Sequence, residues 1–76
     1  MGESAYKKLR ELLLAARERS ELTQAELGIR LKRPQSFVSK YERGERHLDV
    51  VEFGEVARAL NMDPIALLRK FYREIL

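Results

Sequence analysis

Leu22-Thr23-Gln24-Ala25-Glu26-Leu27, followed after six residues by Pro34-Gln35-Ser36-Phe37-Val38-Ser39-Lys40-Tyr41-Glu42-Arg43-Gly44, is the stretch that decides the fold of this chain. Thr23-x-x-Glu26 is a capping box: the threonine hydroxyl and the glutamate carboxylate each satisfy an amide that a helix start would otherwise leave orphaned. A helix therefore begins at Gln24. Leu22 staples against Leu27, Leu31 extends the buried face, and the helix ends near Leu31 or Lys32. Pro34 opens the next helix, because proline is tolerated in a first turn and not deeper. Gly44 closes it by supplying the left-handed residue that a helix terminus often needs. Two short helices joined by a tight connection follow from these signals.

The second of the pair, residues 35–43, has an unusual distribution of side chains. At 100° per residue, Val38 and Tyr41 share one side with Phe37 at its edge, and Gln35, Ser36, Ser39, Lys40 and Arg43 share the opposite arc. That arc offers hydrogen-bonding groups suited to base edges and phosphates, and it holds no carboxylate, although 36% of the chain is charged. Phe37 fits two places, the edge of the core or a thymine methyl; the core edge is favoured.

Working outward, Ala5, Leu9, Leu12, Leu13 and Ala16 recur at helical spacing and predict a helix over residues 4–19, with Leu14 pointing away toward solvent. Asp49-x-x-Glu52 is a second capping pattern, and Phe53, Val56, Ala57 and Leu60 form the buried stripe of a helix over 50–60. Asp63 caps and Pro64 opens a last helix over 64–74. Its apolar residues Ile65, Leu67, Leu68, Phe71, Tyr72, Ile75 and Leu76 spread over about half the circumference, wider than a core stripe of roughly 100°. The expected explanation is a second apolar contact with another copy of the chain, with Leu67, Phe71, Ile75 and Leu76 as its candidate interface. A frayed tail or a junction to a further domain would give the same pattern.

At 76 residues the chain has material for one core, and residues 1–76 are expected to form a single all-α, five-helix domain. With no Cys there is no disulfide framework and no thiolate metal site, so packing alone must hold the fold. No apolar run approaches the roughly 18 residues that span a bilayer, and the first residues lack the apolar stretch of a secretion signal. A soluble, cytoplasmic protein without membrane contact is expected. Net charge is only +3, but its placement is uneven. Between Arg30 and His47 stand six basic residues (Arg30, Lys32, Arg33, Lys40, Arg43, Arg46) against two acids (Glu42, Glu45), more positive charge than the whole chain carries net. Such concentration is the footprint of a phosphate-facing surface; a solvated basic face without a partner is the blander account.

The quoted stretch, with Leu48-Asp49-Val50-Val51-Glu52-Phe53 and Ala57-Arg58-Ala59-Leu60, resembles the phage repressor/Cro (XRE-like) helix-turn-helix family over roughly residues 8–68. The resemblance implies a compact lambda-repressor-like domain whose third helix reads the major groove of double-stranded DNA. It implies that Gln35 and Ser36 reach base edges, with Ser39 and Lys40 one turn along touching bases or flanking backbone. Gln24 with Thr23 at the start of the second helix, Arg33 in the turn, and Arg43 and Arg46 in the following loop match backbone-contacting positions. Arg17 and Glu42 match a pair that bridges the first helix to the end of the reading helix. Two departures stand out: Lys32 where a small residue such as Gly is usual, and Gly28 where Ala is usual.

The implied function is a transcriptional regulator binding an inverted-repeat operator as a homodimer, repression being the favoured output and activation equally compatible. The rival is an antitoxin or adaptor-type interaction module that holds a protein partner through the last helix. Catalysis fares badly, since His47 is the sole histidine and Asp49 and Glu52 are accounted for by capping. No cofactor, metal site or catalytic residue is expected.

Overall fold

The computed structural model describes residues 2–76, in which five helices follow in order: α1 (Gly2–Arg19), α2 (Gln24–Leu31), α3 (Gln35–Glu42), α4 (Val50–Ala59) and α5 (Pro64–Ile75). The α2 start is made as the sequence predicts. Thr23 Oγ1 accepts the Glu26 amide at 3.0 Å, and the Thr23 amide donates to Glu26 Oε1 at 2.8 Å. Asp49 and Glu52 repeat this box at α4, while Asp63 caps α5 ahead of Pro64. α3 begins after Pro34 without a side-chain cap.

The stripes of all five helices meet in one core. Leu13 and Ala16 of α1, Leu27 of α2, Phe37, Val38 and Tyr41 of α3, Phe53, Val56 and Ala57 of α4, Leu60 at the α4 C-cap and Leu67 of α5 are buried together. Burying an aliphatic side chain of this size contributes about 1.5–3 kcal/mol, and here that gain must offset chain entropy without a disulfide or metal. Leu14 departs from expectation: it is half-buried rather than exposed.

A larger correction concerns α5. Leu67 and Phe71 point into the core of their own chain, 3% and 9% exposed, so they are withdrawn from the expected interface with a second copy. A half-circumference of apolar residues is wide because one part of it closes this core. The remainder stays outside: Ile65, Tyr72 and Leu76 are exposed and Ile75 is half-buried.

The turn between α2 and α3 is built on two backbone requirements. Lys32 caps α2 in the left-handed region (φ 57°, ψ 41°), and its amide reaches the carbonyls of Gly28 and Ile29. A non-glycine residue there costs on the order of 1 kcal/mol. Gly28 is needed for close approach: a Cβ at that position would lie 2.8 Å from the Arg33 carbonyl oxygen and 3.3 Å from the Gln35 amide nitrogen. The absence of one methyl thus lets the start of α3 press directly onto α2. After α3, Gly44 turns the chain at φ 81°. The loop that follows is pinned to α1 by His47, whose ring stacks on Tyr6 at 3.7 Å.

Candidate nucleic-acid interface

α3 is held by its apolar side. Val38 is fully buried, Tyr41 nearly so, and Phe37 sits at the core edge at 8% exposure, which settles its place there. The opposite arc is therefore outward: Gln35, Ser36, Lys40 and Arg43 are exposed and Ser39 is half-buried. Glu42, the one carboxylate of the helix, is turned off this face. Its side chain is 5% exposed and is gripped by Arg17, with Nε at 2.7 Å from Oε2 and NH2 at 3.1 Å from Oε1. The remaining Arg17 edge donates to the Leu22 carbonyl at 2.8 Å. This bridge holds the Arg17 pKa above its ordinary value, chiefly through the hydrogen bond to Glu42. One arginine thereby ties α1, the α1–α2 connection and the end of α3 together.

Glu42 has a third donor. Gln24 Nε2, at the first position of α2, reaches Glu42 Oε1 at 2.8 Å, and Gln35 Nε2 in turn donates to Gln24 Oε1 at 3.4 Å. Two residues that the resemblance implies for separate contacts, backbone for Gln24 and base for Gln35, are therefore joined to each other and to the structural bridge. Thr23 sits beside them, exposed, its oxygen engaged in the α2 cap.

Across α3 from this chain lies a second cluster that sequence reasoning missed. The guanidinium groups of Arg33 and Arg46 lie on the Phe37 ring at 4.4 and 4.9 Å from its centroid. Both are tied to Glu52: Arg46 donates twice, at 2.8 and 2.6 Å, and Arg33 NH1 lies 3.5 Å from Oε2. Glu52 also accepts the Asp49 amide at 3.0 Å. The hydrogen bond from Arg46, then that from the Asp49 amide, hold the Glu52 carboxyl down at about 2, against an ordinary 4.5. Arg33 also lies 3.6 Å from Glu55, and Arg43 pairs with Glu45 at 2.8 Å.

All three arginines matched to backbone contacts thus hold carboxylates within the chain, while Lys40 has no ion pair among the described residues. Arginine keeps outward N–H groups in such a pairing, so each can meet a phosphate already oriented by its carboxylate. The capping pattern at Asp49-x-x-Glu52 was legible from spacing. Its second role was not, because nothing local places Arg33 and Arg46 on the same carboxylate.

Among the described residues no group of three or more His, Cys, Asp or Glu could hold a metal ion, and no helix is long and apolar enough to cross a membrane.

Two short helices packed closely across a left-handed turn, the second presenting a polar face, define a helix-turn-helix unit. The chain matches the helix-turn-helix domain family over residues 8–70. It is 51% identical to an XRE-family like protein from Pseudomonas syringae pv. tomato str. DC3000, with a TM-score of 0.90 over 93% of this chain and 87% of that one. This chain therefore belongs to the XRE-like helix-turn-helix family. The fold is shared more widely. The restriction-modification controller protein C.Esp1396I, at 18% identity, superposes with a TM-score of 0.84 over 93% of each chain. The clp gene regulator ClgR from C. glutamicum, at 19% identity, does so at 0.80 over 95% of this chain and 94% of that one. No match was found among curated proteins.

Proposed function

We propose that this protein is a sequence-specific DNA-binding transcriptional regulator that inserts α3 into the major groove. The observation that carries this reading is the outward face of α3. Gln35, Ser36, Lys40 and Arg43 are exposed on it, and the helix's one carboxylate is folded away against Arg17. A helix selected only for solubility has no reason to remove its negative charge from one face. Facing phosphates, it does.

Affinity would come mainly from the basic rim. Arg33, Arg43, Arg46 and Lys40 replace counterions on the backbone, as do the α2 amides behind Thr23 and Gln24, giving salt-sensitive and largely sequence-independent binding. Gln35, Ser36, Ser39 and Lys40 add discrimination, each good bidentate contact being worth about 1–3 kcal/mol. A single module reads few base pairs. We assign the exposed α5 residues Ile65, Tyr72 and Leu76, with half-buried Ile75, to a two-fold contact with a second copy. Such a homodimer would bind an inverted repeat with half-site centres about one helical turn apart. Repression by occluding a promoter is the favoured output.

The test is selection of bound duplexes from a randomised pool, repeated with Gln35→Ala. The expected result is an enriched inverted repeat in which the variant loses preference at one symmetric position per half-site. If folded protein in moderate salt enriches nothing, the regulator reading fails, and the exposed end of α5 becomes the place to look for a protein partner.

A further inference from the structure

A groove of about 590 Å³ lies between the end of α2 and the outer side of α4, with Arg30, Lys32, Val51, Gly54 and Arg58 in its lining. Gly54 has no explanation inside the fold. It stands in mid-helix, where alanine is the better helix former, and a Cβ there would meet nothing within 4 Å. Gly28 is the contrast, since its missing Cβ admits the backbone of this same chain. A bare position at Gly54 leaves the α4 backbone open to close approach from outside. Apolar surface stands beside it. Val51 is 66% exposed, and Val50 and Ile29, next in sequence to Val51 and Arg30, are 81% and 76% exposed. Aliphatic side chains so far out of the core add little to folding, and a partner covering them would remove apolar surface from water.

The charges around the groove select its occupant. Arg30, Lys32 and Arg58 stand against one acid, Glu55, which already lies 3.6 Å from Arg33. Arg30 donates to the Ala59 carbonyl at 3.0 Å and so ties α2 to the end of α4. Lys32 and Arg58 hold no carboxylate among the described residues. We propose that the α2–α4 groove docks an acidic amphipathic helix of a partner protein, its apolar face over Val51 and Gly54 and its carboxylates on Lys32 and Arg58. From Val51 to Arg58 α4 rises about 10 Å, or two turns. Over that length a docked helix repeats its apolar anchors at i, i+3 or i+4, and i+7. Duplex DNA is drawn by the same cations but has no apolar stripe to cover Val50, Val51 and Ile29. None of the groove residues belongs to the α3 face or to the α5 residues assigned to a second copy, so docking here shares no residue with either.

The test is selection on the full chain from a displayed library of short helical peptides with randomised surface positions. The expected result is enrichment of sequences in which carboxylates flank an apolar stripe. Such peptides should bind Gly54→Leu about tenfold more weakly or worse, because the new side chain fills the groove while favouring the helix that bears it. The double variant Lys32→Glu/Arg58→Glu should lose at least as much, its reversed charges now repelling the carboxylates. A duplex of arbitrary sequence in low salt should bind Gly54→Leu within about twofold of the parent, since no phosphate contact is removed. The proposal is overturned if folded protein enriches no peptide, if the enriched peptides are not acidic, or if they bind parent and Gly54→Leu alike. A matching loss of duplex binding in Gly54→Leu would give the groove to nucleic acid and overturn it equally.

Discussion

Removing the Glu42 carboxylate tests the bridge that orients α3. In Glu42→Ala, Arg17 loses the acceptor of two hydrogen bonds, at 2.7 and 3.1 Å, and Gln24 loses its own at 2.8 Å. The Arg17 side chain is 14% exposed, so its charge is left largely away from water. Breaking a fully buried pair costs about 3–5 kcal/mol. Arg17 keeps the Leu22 carbonyl at 2.8 Å and a wet edge, which lowers the expected cost to about 2–3 kcal/mol. For a domain of this size that is a drop in Tm of roughly 10–20 °C. Urea denaturation followed by circular dichroism would measure it, with the slope unchanged if only stability has moved. The stranded-charge argument further requires that Arg17→Leu/Glu42→Leu lose less than the sum of its two single variants, because the pair then leaves together. A loss below about 1 kcal/mol for Glu42→Ala, or strict additivity in the double variant, would refute the reasoning.

Four other outcomes follow from the same structure. The Tyr41 hydroxyl is buried without a hydrogen-bond partner among the described residues, and burial drives its pKa upward. Tyr41→Phe should therefore be neutral or stabilise by up to about 1 kcal/mol in thermal unfolding. Lys32→Gly, at φ 57°, should raise stability by about 0.5–1 kcal/mol, and a loss would mean that the lysine side chain stabilises the turn. Gly28→Ala gains roughly 1 kcal/mol of helix propensity but drives a Cβ to 2.8 Å from the backbone oxygen of Arg33. The clash should win, lowering Tm and weakening DNA binding together. Glu52 titrates lower in the fold than its ordinary 4.5, at about 2, so its contribution is complete above about pH 4.5 and disappears as pH falls through about 2. Thermal melts across that range should find Glu52→Gln less stable than the parent near neutral pH and indistinguishable from it at the acid end.

What the sequence determined by itself was everything encoded within a turn or two of chain. The capping boxes at Thr23 and Asp49, the proline openings at Pro34 and Pro64 and the periodic apolar stripes placed all five helices to within about two residues, since these signals are local in origin. The arc of α3 was legible for the same reason: 100° per residue sorts Gln35, Ser36 and Lys40 from Val38 and Tyr41 before any tertiary contact exists. Tertiary structure alone decided how those pieces meet. Leu67 and Phe71 are chemically indistinguishable from interface residues until α5 is laid against the core, which then takes them. Arg33 and Arg46 lie 13 residues apart, and only the folding of the connections before and after α3 brings both to Glu52 and onto Phe37. The order Arg17, Glu42, Gln24, Gln35 exists in space and not along the chain. A hydrogen-bonded chain gains its direction from the one member that can only accept, and which residues that member meets is settled by folding.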